Sequence, residues 1–435
     1  MVEGVGRAED SAPATRNAPS TPRRRTVVRL LEALLVGATL LAALVGFARK
    51  LPAFRHLSEP VDFAFYYRAS GFLRQGLSPY LEANYIYPPF LAAVLRPLAA
   101  LPLLQASRIW FGLNLVCALA VTALFAELVG WKGRRWLLAA AGIVLTPSVY
   151  DTLLLGQVNL LVAACVLGAL VCTRGERGPW RDPLAGALIA LATLIKVYPA
   201  AYALAFVFRR RIRALTGFGL VLAAGIWFGA GLSGGPQPTR DYLARVLPRL
   251  ALQPAARVEN QSLLAAVSRM TSRTELEFRV SLAERTARLA LAPALDAPRA
   301  GRALALLARV AVVLILLSLL ARRAASQVEP WGSDAAFALI TVSVLLANSI
   351  SWTYYFVLLV MPAAYLIRSG AGRRTGVRVP LLAAAFLLLI NRYWVPLLYW
   401  TWSPWVTIEG CAAVVILWVL VVREVARTRR SLSPP

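Results

Sequence analysis

Apolar runs long enough to cross the hydrocarbon layer of a bilayer, about 20 residues for ~30 Å, recur along almost the whole chain. They lie at 27–48, 103–128, 136–152, 157–173, 183–208, 214–231, 303–321, 334–350, 352–368, 379–391 and 405–423. Segments of this kind must satisfy their backbone polar groups internally, which in lipid means helices. Composition agrees with that reading. The 435 residues are 59% hydrophobic and only 16% charged, against about a quarter charged in ordinary globular domains. The expected fold is all-α, a polytopic membrane protein of about 11–13 transmembrane helices.

The net charge of +26 does not point to nucleic acid, because the basic residues sit in short loops between apolar runs. TPRRR, GWKGRRW, FRRRIR, IRSGAGRR and the tail REVARTRR have the pattern of cytoplasmic loops under the positive-inside bias. Anionic membrane lipid is their expected partner. Residues 1–26 read as a disordered basic cytoplasmic tail, 27–423 as the membrane domain and 424–435 as a second cytoplasmic tail. Residues 49–86 and 232–302 form the outer loops, the latter with a helical pattern over TELEFRVSLAERTARLAL. Two segments are irregular. The stretch 88–101 is short and bracketed by prolines, which suits a half-helix. The run 183–208 is interrupted by Lys196 and Pro199, so it is one kinked crossing or two half-crossings, and placing GWKGRRW and TRGERGPWR both inside favours the re-entrant pair. Cys117, Cys165, Cys172 and Cys411 lack metal-ligand spacing, and the lone His56 cannot form a cluster; neither a disulfide framework nor a zinc site is expected.

The chemistry concentrates in the first long loop, Val61–Phe90. Asp62 stands at the edge of an aromatic row that includes Tyr66, Tyr67 and Tyr87. A carboxylate beside a bilayer is costly unless paired or used; capping the following helix is the alternative role. Glu59 lies three residues earlier, but E-P-V-D is not a D-x-D arrangement. No metal is expected as an obligatory cofactor, which leaves room for a loosely held divalent ion at a donor phosphate. Further along come GQVN with Gln157 and Asn159, then LIKVYPA with Lys196 and Tyr198. ENQSLLAAVSR follows with Gln261 and Arg269, and SISWTYYF with Trp352, Tyr354 and Tyr355. An ammonium inside an apolar run needs an anion or an interface to snorkel to. Arg269 has solvation as its competing reading.

In this order, D…YY…PY…YPPF, GQVN, K-x-YP, NQSL…R and SW resemble the polyprenyl-phosphate-mannose-dependent mannosyltransferases of glycosyltransferase family 87. The resemblance runs from about Val61 to Tyr355. It implies the GT-C architecture and an inverting transfer of a hexose, with mannose the expected sugar. The donor would be a polyprenyl phosphate sugar and the acceptor a lipid or glycan hydroxyl on the outer face of the plasma membrane. Asp62 aligns with the family's catalytic aspartate. A lipid-phosphate leaving group departs readily, so the main need is a base for the acceptor proton. Lys196 and Arg269 would hold the donor phosphate, while Tyr66, Tyr67, Tyr87, Gln157, Asn159, Tyr198, Gln261, Trp352, Tyr354 and Tyr355 would bind donor or acceptor. The sequence departs from the family after SW, where histidines are frequent and SWTYYF stands instead. A polyprenyl-phosphoarabinose-dependent transferase and a lipid-linked sugar flippase are the competing functions.

Overall fold

The computed structural model describes residues 22–50, 60–174, 178–252, 257–280, 285–324, 332–370, 375–394 and 403–427. His56, Glu59, residues 1–21 and residues 395–402, within the aromatic-rich segment 391–405 that reads as an interfacial belt, lie outside these. The first helix, α1 (Pro22–Lys50), begins inside the stretch read as a tail. The first outer loop then opens with a helix, α2 (Val61–Arg74), and a short α3 (Pro89–Val94) follows. Pro88 and Pro89 start α3, and a single 3-10 turn over Leu98–Ala100 follows it, so 88–101 is a half-helix and not a crossing.

α4 (Leu103–Val129) is a full span ending on the left-handed Gly130. α5 (Arg134–Val144) and α6 (Pro147–Leu155) make one apolar segment bent by 59°, because Pro147 cannot continue the hydrogen-bond ladder of α5. α7 (Asn159–Thr173) follows, then α8 (Arg181–Ile195). After the break at Lys196 the chain returns through a 3-10 stretch, Tyr198–Tyr202, and α9 (Ala203–Phe208). α10 (Ile212–Leu232) is the second full span.

The long loop carries α11 (Gln237–Asp241), α12 (Leu247–Leu252) and α13 (Leu263–Thr271). It also holds a feature that overturns the helical expectation. TELEFRV and RTARLAL form an antiparallel hairpin, β1 (Thr274–Val280) and β2 (Arg285–Leu291), with Glu277 opposite Arg288. Leu276, Phe278 and Val280 alternate with Glu275, Glu277 and Arg279, and a period of two selects a strand over a helix. The domain closes with α14 (Pro298–Ala324), α15 (Gly332–Ala347), a 3-10 stretch at Thr353–Leu359 running into α16 (Val360–Arg368), α17 (Thr375–Leu389) and α18 (Glu409–Arg427). The last helix extends into the expected C-terminal tail. Among the described residues, three helices are long and apolar enough to span by themselves. The bent pair and six shorter apolar helices accompany them. The protein is an all-α membrane protein with one small hairpin.

The bundle has two chemically distinct ends. At one end, Arg211 pairs with Asp182 at 2.7 Å, both nearly fully buried, and also donates to the Thr173 carbonyl. Arg174 grips both oxygens of Asp334 at 2.9 and 2.5 Å, and Arg368 donates to the Leu128 carbonyl. These contacts gather the ends of α4, α7, α9 and α16 with the starts of α8, α10 and α15. The basic loops GWKGRRW, FRRRIR and IRSGAGRR therefore share one side. Asp182, which opens α8, meets Arg211, which follows α9. The run 181–208 thus leaves and returns to the same end, the re-entrant pair expected from Lys196 and Pro199.

α8 and α10 pack backbone against backbone. A Cβ on Gly186 would fall on the Ala214 carbonyl, and one on Gly217 would fall on the Pro183 carbonyl. Small residues permit such close crossings in membrane proteins. The core runs through Phe63, Leu160, Val166, Ile189, Phe337, Leu358 and Val421, all buried. Leu34 and Leu41 of α1, Leu220 and Trp227 of α10 and Leu307 and Leu314 of α14 are exposed. Apolar side chains facing outward on apolar helices are what a lipid solvent requires.

Candidate active site

The end opposite the ion pairs is built around α2. Its buried face is Phe63, Tyr66, Ala69, Ser70 and Leu73, a spacing of three and four that places one stripe against the bundle. Phe63 stacks on Trp110 of α4 at 5.5 Å. Trp110 Nε1 donates to the Gly156 carbonyl at 2.7 Å. Gly156 ends α6 with φ +68°, and a Cβ there would meet Phe63 Cβ at 2.7 Å. Both the turn and the close approach need glycine. This turn aims Gln157 and Asn159 inward from the start of α7.

Asp62 lies in the first turn of α2, one residue before the buried stripe, and is half-buried. It does not cap the helix. Pro60 occupies the N-cap position, and the Asp62 carboxylate is instead used in a side-chain network. Gln157 Nε2 donates to Asp62 Oδ2 at 2.5 Å. The hydroxyls of Tyr66 and Tyr87, 2.9 Å apart, both lie on Gln157 Oε1, at 2.9 and 3.1 Å. Asn159 Nδ2 approaches the same oxygen at 3.4 Å, while Lys196 Nζ donates to Asn159 Oδ1 at 2.9 Å. A continuous polar chain therefore links carboxylate to ammonium through GQVN. Burial pushes the Asp62 carboxyl above its ordinary value of 3.8, and the Gln157 bond and then the Lys196 charge pull it back.

Lys196 is 4% exposed and does not snorkel. It occupies the break between α8 and the returning limb, where its backbone is extended. Its ammonium faces the rings of Tyr355, Tyr87 and Tyr354 at 4.1, 5.1 and 5.4 Å, distances at which a cation is attracted to an aromatic face. Tyr198 stacks on Tyr355 at 5.1 Å, and among the described residues its buried hydroxyl has no hydrogen-bond partner. The tyrosines that stand where histidines were expected thus form an aromatic cage around the buried cation.

Other expected residues support this site from behind. Asn260 bridges Trp352 in an antiparallel pair, accepts from the Ser351 and Ser262 amides and donates to the Ser349 carbonyl. NQSL and SISW are therefore stitched together, and the pairing positions Trp352 and the tyrosine pair. Gln261 is fully buried between the Val258 and Thr407 carbonyls and the Cys411 amide. Arg269 is not solvated. It is fully buried, and its guanidinium donates to Thr407 Oγ1 and to the carbonyls of Arg257, Asn260 and Thr407. It holds the long loop against the turn before α18. Tyr67 places its hydroxyl on the Leu101 carbonyl at 2.8 Å, outside the Asp62 network.

The sequence reading missed a second carboxylate. Asp151 of α6 is 1% exposed, receives the Thr353 hydroxyl at 3.3 Å and raises the Asp62 carboxyl by its charge. The argument used for Asp62, that an acid in an apolar run needs a reason, applies equally to Asp151 within 136–152. Arg257, half-stacked over Trp352 at 5.9 Å, also acts on Asp62. Asp62 and Asp151 are close enough to act on each other by charge, and Glu259 acts on Tyr354 of the cage. Among the described residues no group of three His, Cys, Asp or Glu gathers.

Comparison with known proteins agrees with the motif order. A family model described as glycosyltransferase family 87 matches residues 85–332, a span that includes Tyr87, GQVN, Lys196 and Arg269 but not Asp62. A polyprenol-phosphate-mannose-dependent alpha-(1-2)-phosphatidylinositol pentamannoside mannosyltransferase of Mycobacterium tuberculosis is 27% identical over 319 residues, covering 71% of this chain and 64% of that protein. Its Mycolicibacterium smegmatis namesake is 35% identical over 144 residues, 32% of each chain. GPI mannosyltransferase 1 of Eremothecium gossypii is 29% identical over 177 residues, 40% of this chain and 43% of that one. The chain spans less than two thirds of the length of these relatives.

Proposed function

The chain belongs to glycosyltransferase family 87, and we propose from that premise that it is an inverting membrane glycosyltransferase. It moves a hexose, with mannose the expected sugar, from a polyprenyl phosphate to a hydroxyl of a lipid or glycan on the outer face of the plasma membrane. The names of its polyprenol-phosphate-mannose-dependent relatives support the donor class. The observation that carries the reading is the buried chain from Asp62 through Gln157 and Asn159 to Lys196, with a base at one end and a cation at the other.

In the proposed reaction the acceptor oxygen attacks the anomeric carbon from the face opposite the phosphate. As that bond forms, the acceptor proton passes to the Asp62 carboxylate. The bond from the anomeric carbon to the phosphate oxygen breaks, and its electron pair stays on the leaving phosphate. Lys196 stabilises the charge that develops there. Among the described residues it has one hydrogen-bond acceptor, Asn159, so two of its three donors remain for an anion. Among the described residues the hydroxyl of Tyr198, whose ring stacks on Tyr355, is a further unused donor. Gln157 holds Asp62 in place by its hydrogen bond, and the Asp151 charge raises its basicity.

Asp62→Asn tests the assignment, because it keeps the shape and removes the base. Membrane levels and thermal stability should stay normal, while transfer of radiolabelled sugar from a polyprenyl phosphate donor should fall by about 10²-fold or more. Transfer at near-wild-type rate in Asp62→Asn would reject the role.

A further inference from the structure

We propose that a second site, at the end of the membrane domain remote from Asp62, binds the phosphate headgroup of an anionic phospholipid. A cavity of about 800 Å³ opens there between α1, the turn after α4, the end of α16 and the start of α17. Three arginines from separate segments line it, Arg135, Arg368 and Arg378, and no acidic residue is among its lining residues. Arg368 is fixed at the back of the cavity by the Leu128 carbonyl at 2.9 Å and by Asp334 at 3.9 Å, and the exposed Arg135 and Arg378 add their charge at its mouth. Several guanidiniums facing one cavity select an anion with several acceptor oxygens, and phosphate suits their fork geometry.

Depth and lining identify the phosphate as a lipid's. The cavity lies at Val129 and Gly130, nineteen residues along α4 from Trp110, which packs at the Asp62 site. At 1.5 Å per residue that is about 28 Å, close to the hydrocarbon thickness. The two sites therefore serve opposite leaflets. Trp131 on the rim marks a membrane interface. Apart from Ser369 and Gly370 the remaining wall is apolar, with Val36, Ile367 and Leu381, and the Val36 side of α1 continues onto the exposed Leu40 and Leu44. A headgroup in the arginine cavity would lay its acyl chains along that face. Basic pockets between membrane helices bind anionic headgroups by this arrangement. The proposal does not depend on the transfer reaction.

The test uses the full chain purified in detergent, delipidated and offered phosphatidylglycerol or phosphatidylcholine of identical acyl chains, with retained lipid read by native mass spectrometry. The wild type should retain one phosphatidylglycerol in preference to phosphatidylcholine. Arg135→Gln with Arg378→Gln should lower that preference on the order of tenfold or more. Arg213→Gln removes an exposed arginine at the same end but outside the cavity, and should leave the preference intact. Equal retention of the two lipids, an unchanged double variant, or an equal loss in Arg213→Gln would overturn the site. Displacement by inorganic phosphate at matched concentration would overturn the lipid in favour of a free anion. A wild-type measurement stands independently of how the double variant folds. Phosphatidylglycerol brominated on its chains should quench a tryptophan signal that Trp131→Phe removes, and quenching unaffected by Trp131→Phe would count against the site.

Discussion

Replacing Gln157 by Glu isolates the contact on which Asp62 depends. The side chain keeps its length and keeps an oxygen where Oε1 now receives Tyr66 and Tyr87 at 2.9 and 3.1 Å. What changes is the group 2.5 Å from Asp62 Oδ2, where a donor becomes a second carboxylate. Two carboxylates this close share a proton. With charge centres about 4 Å apart and an effective dielectric near 20, repulsion is about 4 kcal/mol, or about three pKa units at 1.36 kcal/mol each. Burial already places Asp62 above the ordinary carboxylate value of 3.8. Because the base must be ionised to work, activity is present above its pKa and lost as pH falls through it. Gln157→Glu should therefore move the acidic limb of kcat/KM upward by about three units. The assay is radiolabelled sugar transfer from pH 5 to 9 in detergent, with near-wild-type folding expected. A variant whose acidic limb coincides with that of the wild type would refute the Gln157–Asp62 coupling and the base assignment with it.

Lys196→Met should raise the apparent donor KM by about 10²-fold, the loss of a charge-assisted contact, while the acceptor KM stays within about twofold; equal effects on the two substrates would detach Lys196 from the phosphate. Arg269→Met should behave differently, stranding buried carbonyls at about 1–3 kcal/mol each. Its Tm in detergent should drop sharply, and a stable Arg269→Met protein with only a donor KM effect would return that arginine to the active site. Gly186→Val should lower stability by about 1–3 kcal/mol or more, because the Ala214 carbonyl it would strike belongs to a backbone that cannot rotate away; an unchanged Tm would mean that α8 and α10 lie further apart.

The membrane class and the irregular segments were readable because each has a one-dimensional signature. Apolar run length gave the helices, Pro88 and Pro89 gave the half-helix, and Lys196 with Pro199 gave the re-entrant limb. The hairpin at Thr274–Leu291 was misread because its arginines and leucines drew attention to composition, whereas strict alternation over TELEFRV was the deciding pattern. The bend at Pro147 within 136–152 was legible in principle and passed over. Arg269 could not be placed from sequence. Whether an arginine is solvated or encased by carbonyls depends on α18 arriving from more than a hundred residues away, and no local pattern carries that.

The site shows the same division between local and distant causes. GQVN announces a left-handed glycine followed by two amides, so a turn presenting polar groups was foreseeable, but not that Gln157 would meet Asp62 across 95 positions. The SWTYYF stretch is more instructive. A histidine there would bring a second cation next to Lys196, which favours anion binding but costs desolvation when the site is empty. Two tyrosines solve the empty state differently. Their ring faces stabilise the Lys196 ammonium at 4.1 and 5.4 Å without adding charge and without taking up its hydrogen-bond donors. On the proposed function, two of its donors thus remain available to a phosphate. On this argument the departure from the family pattern exchanges charge at the phosphate for preorganisation of the single lysine, and it does not by itself disable the site.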